Sequence, residues 1–315
     1  MDNLIFSLNA TVPIFLMMVV GYFLRQVKIV DGPFIKTLNS FNYKVTLPVL
    51  LFYDLSSSDF SAVWDTSYVL YCFFVTLFCI LLIWFMAGKF LKSRELTGEF
   101  VQASYRGSAA VLGVAFIQNI YGTSGMAPLM ILATVPLYNI AAVIILSFTA
   151  PGQSGFSKQQ LMKSLKGIAT NPIILGIVFG VLMSLMPFSF PMIIQKTISS
   201  MASLATPLAL IGLGAGFEGR KALALIKPTI ICSLIKLVIQ PACFLPLAVQ
   251  MGFRDAKLVA LLVMLGAPTT VSCYIMAQNM HHEGTLTSSV VVTTTFLSAV
   301  SMTFWLYLLR SFGLI

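Results

Sequence analysis

Two stretches of this chain hold residues that an otherwise oily sequence has little reason to keep together. Arg106-Gly-Ser-Ala-Ala-Val-Leu-Gly113 is small and polar, and leads on to Gln118-Asn119. Gly266-Ala-Pro-Thr-Thr-Val-Ser272 has the same character and leads on to Gln278-Asn279. Ser108, Gly113, Pro268, Thr269, Thr270 and Ser272 all weaken a helix, through a competing hydroxyl, a missing side chain or a missing N–H. A helix broken there exposes its ends, and an exposed N-terminus carries about half a positive charge. Together with the hydroxyls it replaces water around a carboxylate, so the chemistry these residues suit is binding a small anion.

Two cations stand close to this chemistry. Arg106 lies just ahead of the small residues, either as an anchor at the membrane face or as an anion-attracting group at the mouth of a pathway. Lys236 sits deep in Ile231-Cys-Ser-Leu-Ile-Lys-Leu-Val-Ile-Gln-Pro241. An ammonium at the bilayer centre costs about 2.5–3.5 kcal/mol even on lenient scales, so it must face a partner or water. It is either a counter-charge or proton-coupling group for a substrate, or a donor to backbone carbonyls of a broken helix. Asn39 and Pro48 in the second apolar run, and Asn139 near Pro136 and Tyr138 in the fifth, complete the candidate substrate-binding residues. A mid-helix proline frees a carbonyl, which nearby polar groups then satisfy. Lys44, on the same run as Asn39, reads more simply as snorkelling to the cytoplasmic face.

The elements that must position these groups are membrane helices. The chain has 315 residues, 58% hydrophobic and 9% charged, with a mean hydropathy of +0.94. A soluble domain carries about 25% charge. The apolar runs are long and lack the two-residue alternation of barrel strands. Ten spans are expected, over 4–25, 34–55, 67–91, 98–121, 126–149, 169–187, 191–216, 222–249, 256–280 and 285–309. Span 3 is bulky and aromatic and reads as lipid-facing scaffold.

The net charge of +9 calls for no nucleic acid, because of where the cations fall. Thirteen Lys and Arg sit between spans 1 and 2, 3 and 4, 5 and 6, and 7 and 8, and four on the other side. That bias places both termini outside the cytoplasm. The start Met1-Asp2-Asn3 has no basic run, so the first span is expected to be retained rather than cleaved. The five cysteines fall inside spans without metal-ligand spacing, and adjacent His281 and His282 point about 100° apart on a helix, so no metal or cofactor is expected. The two histidines read as a cytoplasmic loop.

An internal repeat organises the spans. Pro13, Gly21 and Pro48 recur as Pro172, Gly180 and Pro207, each 159 residues on, and Gln118-Asn119 recurs 160 residues on. Five spans per half is an odd number, so the second half enters the membrane from the opposite side. The expected architecture is an all-α membrane protein of two inverted five-helix repeats, residues 1–150 and 169–315. The polar segment 151–168 is a cytoplasmic linker between them. Pro13 and Asn171-Pro172 read as helix starts. Paired breaks in matching spans of an inverted repeat point to a transporter's binding site.

The chain resembles the auxin efflux carrier family, with its plant auxin exporters and bacterial malonate or malate permeases. The resemblance rests on Asn42-Tyr-Lys-Val-Thr-Leu-Pro-Val-Leu-Leu-Phe52, Leu112-Gly-Val-Ala-Phe-Ile-Gln-Asn-Ile-Tyr-Gly122, Asn171-Pro-Ile-Ile-Leu-Gly176 and Thr206-Pro-Leu-Ala-Leu-Ile-Gly-Leu-Gly214. It implies a fold similar to bile-acid symporters, with spans 4 and 9 broken and crossing at mid-membrane, a scaffold domain beside a moving transport domain, and a homodimer. Ser108 stands where plant members have asparagine, and Ala115 and Cys273 stand where they have crossover prolines. The crossing would then be held by Gly113, Pro268 and water. Span 3 has no acid from Tyr68 to Phe78, where plant members carry a carboxylate.

The expected function is therefore a secondary carrier for a small organic anion, in the cytoplasmic membrane among lipids, and not an enzyme. A cation/proton exchanger on the same fold wants buried acids, whereas all ten Asp and Glu read as lying at span ends or in loops. An intramembrane aspartyl protease, suggested by Tyr53-Asp54 and Gly212-Leu213-Gly214, needs a second acid where Ala215 stands. A ligand sensor on the same fold would carry the same breaks.

Overall fold

The computed structural model describes residues 2–57, 64–91, 93–109, 117, 120–121, 125–151, 158–186 and 190–315. Its first-half helices are α1 (Asp2–Gln26), α2 (Gly32–Phe41), α3 (Leu47–Ser56), α4 (Thr66–Phe90), α5 (Arg94–Tyr105) and α6 (Ala127–Thr149). Next come α7 (Lys158–Ala169), α8 (Pro172–Ser184), α9 (Met192–Gly216), α10 (Gly219–Ala224), α11 (Ile226–Leu234) and α12 (Gln240–Gln250). The chain finishes with α13 (Asp255–Gly266), α14 (Ser272–Asn279) and α15 (Thr285–Ser311). Among the described residues there is no strand, and a single two-residue bridge is the one piece of extended pairing. Among the described residues, five helical stretches are long and apolar enough to cross a bilayer: α4, α6, α9, Ile226–Gln250 and α15. Shorter apolar helices, Val12–Gln26 and Pro172–Ser184, accompany them.

Local sequence explains the helix starts. Asp31, Asp65 and Ser93 each accept from the backbone N–H three residues on, capping α2, α4 and α5. Asn171 Oδ1 accepts from the N–H groups of Ile173 and Ile174, and Pro172 takes the first position of α8, where no N–H is needed. Pro13 behaves differently from expectation: it lies inside α1, as Pro136, Pro207 and Pro246 lie inside their helices. Membrane helices tolerate this when neighbours satisfy the freed carbonyls. The second part of the polar segment 151–168 is the helix α7.

Two helices widen into a π turn just ahead of a proline. Asn42–Thr46 joins α2 to α3 before Pro48, and Ile235–Ile239 joins α11 to α12 before Pro241. A proline ring collides with the carbonyl four residues back, and an added residue in that turn moves the carbonyl aside. For Pro241 that carbonyl is Leu237, which accepts from the Trp305 indole at 3.0 Å. The first turn is held by Asn42, whose amide donates to Ala205 O at 3.1 Å.

Glycine seams bring helices of the two halves together. A Cβ on Gly214 of α9 would strike the Met18 carbonyl of α1, and one on Gly21 would strike the Ile211 backbone, so α1 and α9 touch backbone to backbone. Gly176 and Gly180 of α8 lie in the same way against Pro48 and Phe52 of α3. Small residues that permit such approach drive packing where lipid supplies no hydrophobic gain. At the centre lies α13, apolar on every side and buried from Leu258 to Gly266, as a helix without a polar face must be. α4 buries one stripe, including Tyr68, Cys72, Val75 and Cys79, and turns Phe74, Phe78 and Phe85 outward.

Candidate substrate site

The two polar stretches interrupt their helices at the expected places, and the interruptions meet. α5 stops at Tyr105 and Arg106 is extended (φ −78°, ψ 123°). α13 stops at Gly266 and Ala267 is extended (φ −65°, ψ 152°), the conformation a following proline favours. The segments run antiparallel: Gly107 pairs with Thr269, and Ser108 N–H donates to Pro268 O at 2.9 Å. Thr269 N–H is taken by Thr294 Oγ1 at 3.0 Å. A Cβ on Gly107 would stand 2.9 Å from Lys236 Nζ and 3.2 Å from Met264 O, so a larger residue here would push on the ammonium and crowd that carbonyl.

A helix that ends inside a protein leaves four carbonyls to satisfy, and at the end of α5 each one has a partner. Gln102 O accepts from Arg106 N–H, Ala103 O from Thr269 Oγ1 at 2.7 Å, and Ser104 O from the Gln240 amide at 2.8 Å. Tyr105 O accepts from Lys236 Nζ at 3.4 Å, and the same ammonium donates to Met264 O at 2.9 Å. The fully buried Lys236 therefore sits at the C-terminal ends of both broken helices, where their dipoles are negative. Those partners are the backbone carbonyls of one of its two expected roles. Lys236 does not line the cavity described next.

That cavity, of about 90 Å³, lies beside the two breaks. A water needs only about 10–15 Å³ of such space, so there is room for several waters or a small carboxylate. Arg106, Ser108, Asn139, Pro268, Thr269, Thr270 and Ser272 line it, against a mainly apolar wall from α1, α3, α8 and α9. Arg106 is only 2% exposed, so it is no surface anchor. Its Nη2 donates to Asn139 Oδ1 at 2.8 Å and to Ser272 Oγ at 2.9 Å, and its Nη1 to Met276 Sδ at 2.8 Å. A guanidinium has five N–H donors. Nε, buried and without a hydrogen-bond partner among the described residues, and one Nη1 hydrogen are left over. Among the described residues no carboxylate forms a salt bridge with Arg106. Thr270 Oγ1 and Ser272 Oγ are 3.2 Å apart on the same wall.

Two further candidates fall elsewhere. Asn39 is buried in a separate basin with Lys36, Lys44 and Asn279, where Asn279 donates to its backbone carbonyl. Pro48 packs against Gly176. Gly113 lies outside the described residues.

The surroundings of two acids and a histidine were not foreseen from the sequence. Asp54 lies at a helix end, as expected, but that end also lines the cavity. Glu99 is 2% exposed and accepts from Gly284 N–H (2.8 Å) and Thr287 N–H (3.0 Å), closing the start of α15. His282 lies in the loop between α14 and α15, where a loop was expected, but it is buried, with Nε2 3.0 Å from Leu146 O. Ser93-Arg-Glu-Leu-Thr-Gly-Glu99 carried one signal for Glu99: a charged segment running straight into a membrane helix.

The profile of a family described as "Membrane transport protein" matches residues 6–306. The chain belongs to this family. The resemblance drawn from the four quoted stretches thus extends over nearly the whole sequence. Within similar proteins, one from Rhizobium meliloti (strain 1021) named "Putative malonate transporter" is 24% identical over 308 residues, covering 95% of this chain and 94% of that protein. Membership of a transport family makes this a multi-helix membrane protein that handles a small molecule.

Proposed function

We propose that the protein is a secondary carrier that moves a small organic anion, a short carboxylate, across the cytoplasmic membrane by alternating access. One observation carries the reading: a buried guanidinium with donors to spare lines the cavity beside the two helix breaks. Among the described residues Arg106 forms no salt bridge, and its unused N–H donors are costly in a buried place; an incoming carboxylate would fill them. Hydroxyls of Thr270 and Ser272 and the positive end of α14 face the same space. The relative named for malonate, a short dicarboxylate, agrees with the class.

In this reading the paired segments are the crossing point of two discontinuous spans at mid-membrane, and residues 1–150 and 169–315 are inverted five-span repeats joined by 151–168. Support comes from the packing of α1 on α9 and of α8 on α3, which exchanges equivalent helices between the halves. Both termini lie outside the cytoplasm, and the carrier works as a homodimer. A cation exchanger is less well served, since the two breaks bear hydroxyls, a guanidinium and an amide partner but no carboxylate.

Uptake of labelled malonate and of short monocarboxylates into proteoliposomes tests this. Losing two charge-assisted hydrogen bonds, each worth about 1.5–3 kcal/mol, should lower uptake by Arg106→Gln about 100-fold or more. Arg106→Lys, which keeps the charge without the fork, should fall in between. Unchanged uptake by well-folded Arg106→Gln would remove the cavity as the site.

A further inference from the structure

The cavity that holds Arg106 has a second charged residue in its wall. Asp54, in the last turn of α3, stands beside Leu50 and Leu51 of its own helix and faces the cavity with Leu210 of α9. The other polar side chains there, Ser108, Asn139, Thr206, Thr269, Thr270, Ser272 and Thr295, are neutral.

The remaining titratable groups on the elements packed against α3 are few. α8 has none in its sequence Pro172–Ser184. α6 contributes Tyr138, which lines the cavity. α9 carries Lys196, which is exposed and outside the cavity wall. The π turn before α3 holds Lys44, exposed and in the separate basin, and Tyr43, hydrogen-bonded to Asn171. Tyr53 precedes Asp54 on its own helix. Among the described residues that line this cavity, then, the fixed charges are one guanidinium and one carboxyl.

Charge balance turns this pair into a coupling device. Empty, with Asp54 ionised, the cavity is neutral. An anion seated on Arg106 adds a negative charge to an enclosed, low-dielectric space that already holds a carboxylate. Like charges at such range oppose each other strongly. A proton on Asp54 removes one of those negative charges and turns a repelling group into a hydrogen-bond donor. Resting on the carrier reading above, we propose that Asp54 is the proton-carrying group of the transport cycle, taking up one proton from solution when the anion binds at Arg106 and releasing it with the anion on the far side. Anion and proton each favour the other's binding, and the coupling is reciprocal.

The sign is set by that linkage. Anion binding is strongest at low pH, where Asp54 is protonated, and weakens as pH rises through its ionisation, by up to about tenfold per pH unit for one linked proton. Asp54→Asn resembles the protonated carboxyl at every pH. Full-length protein in nanodiscs is titrated with malonate at several pH values. Malonate's own ionisation affects wild type and variant alike, so the ratio of their affinities reports Asp54. The ratio should widen with pH in favour of Asp54→Asn, and a ratio constant across pH overturns the assignment.

In proteoliposomes holding a pH-sensitive dye, malonate entry should carry protons in with wild type. With Asp54→Asn it should not. Proton entry unaltered in that variant, or uptake by wild type driven by a sodium gradient and indifferent to a proton gradient, also overturns it. Asp54→Glu, which keeps a carboxyl, should retain the linkage and guards against a folding defect in the amide. Should wild type bind neither malonate nor any short mono- or dicarboxylate, the carrier reading falls, and this assignment with it.

Discussion

Lys236 shows how one side chain is made tolerable at depth. Its ammonium meets no carboxylate among the described residues, yet it lies against two carbonyls that end two different helices. Removing it leaves Tyr105 O and Met264 O unpaired, and an orphaned buried acceptor costs about 1–3 kcal/mol. Lys236→Met should therefore lower the unfolding temperature in detergent despite discarding a buried charge. Lys236→Arg should do no better, because a larger head must fit beside Gly107, where even an added Cβ would stand 2.9 Å from the ammonium. Depth in an apolar run made Lys236 legible as a special residue. Its partners were not legible, because they are backbone atoms 131 and 28 residues away. Asp54 stayed hidden for the opposite reason: an acid two residues before a helix end looks like an interface residue, and only the packing of α3 brings its last turn to the cavity.

At the scale of elements, the interruptions after α5 and α13 could be read from composition, since hydroxyls, glycine and proline weaken a helix wherever they cluster. Helix starts were read less well. Pro172 begins α8 because Asn171 caps it, whereas Pro13 follows Val12, which has no capping side chain, and the helix runs through it. The prolines alone could not distinguish the two cases. The π turns were not read either, since nothing in Asn42–Thr46 or Ile235–Ile239 announces an extra residue per turn. The glycine seams permit a sharp comparison. Gly214→Ala places a methyl on the Met18 carbonyl and should destabilise by about 1–3 kcal/mol or more, as overpacking does. Gly88→Ala, exposed on α4 with nothing within 4 Å, should be neutral or stabilise by up to about 1 kcal/mol. Thermal unfolding of the two variants side by side checks this.

For the whole molecule, one partly exposed ion pair ties distant parts of the chain at a loop. Lys257 Nζ of α13 lies 2.5 Å from Asp65 Oδ2, while Asp65 Oδ1 accepts from Tyr68 N–H at the start of α4. The lysine first, and then that amide, hold the Asp65 carboxyl below the usual carboxylate range. A carboxyl with a lowered folded-state value adds stability above its unfolded value, near 3.9, and loses it as pH falls through the folded one. The contribution is small, because exposed pairs are worth about 0–1 kcal/mol and are screened by salt. Asp65→Asn should cost little and become silent in high salt, whereas Asp65→Ala also loses the cap and should cost about 0.5–2 kcal/mol more. Melting curves at low and high ionic strength separate the two.

The interlocking of α1 with α9 and of α8 with α3 bears on how such a chain is made. When the last residue of α6 leaves the ribosome, the glycine faces of α1 and the groove around Pro48 have nothing to close on but lipid. Their partners have not yet been translated. The first half is thus an unfinished product, obliged to wait in the bilayer until α8 and α9 arrive to complete it, and a ribosome that stalls in the linker leaves behind a fragment with open seams rather than a smaller working protein.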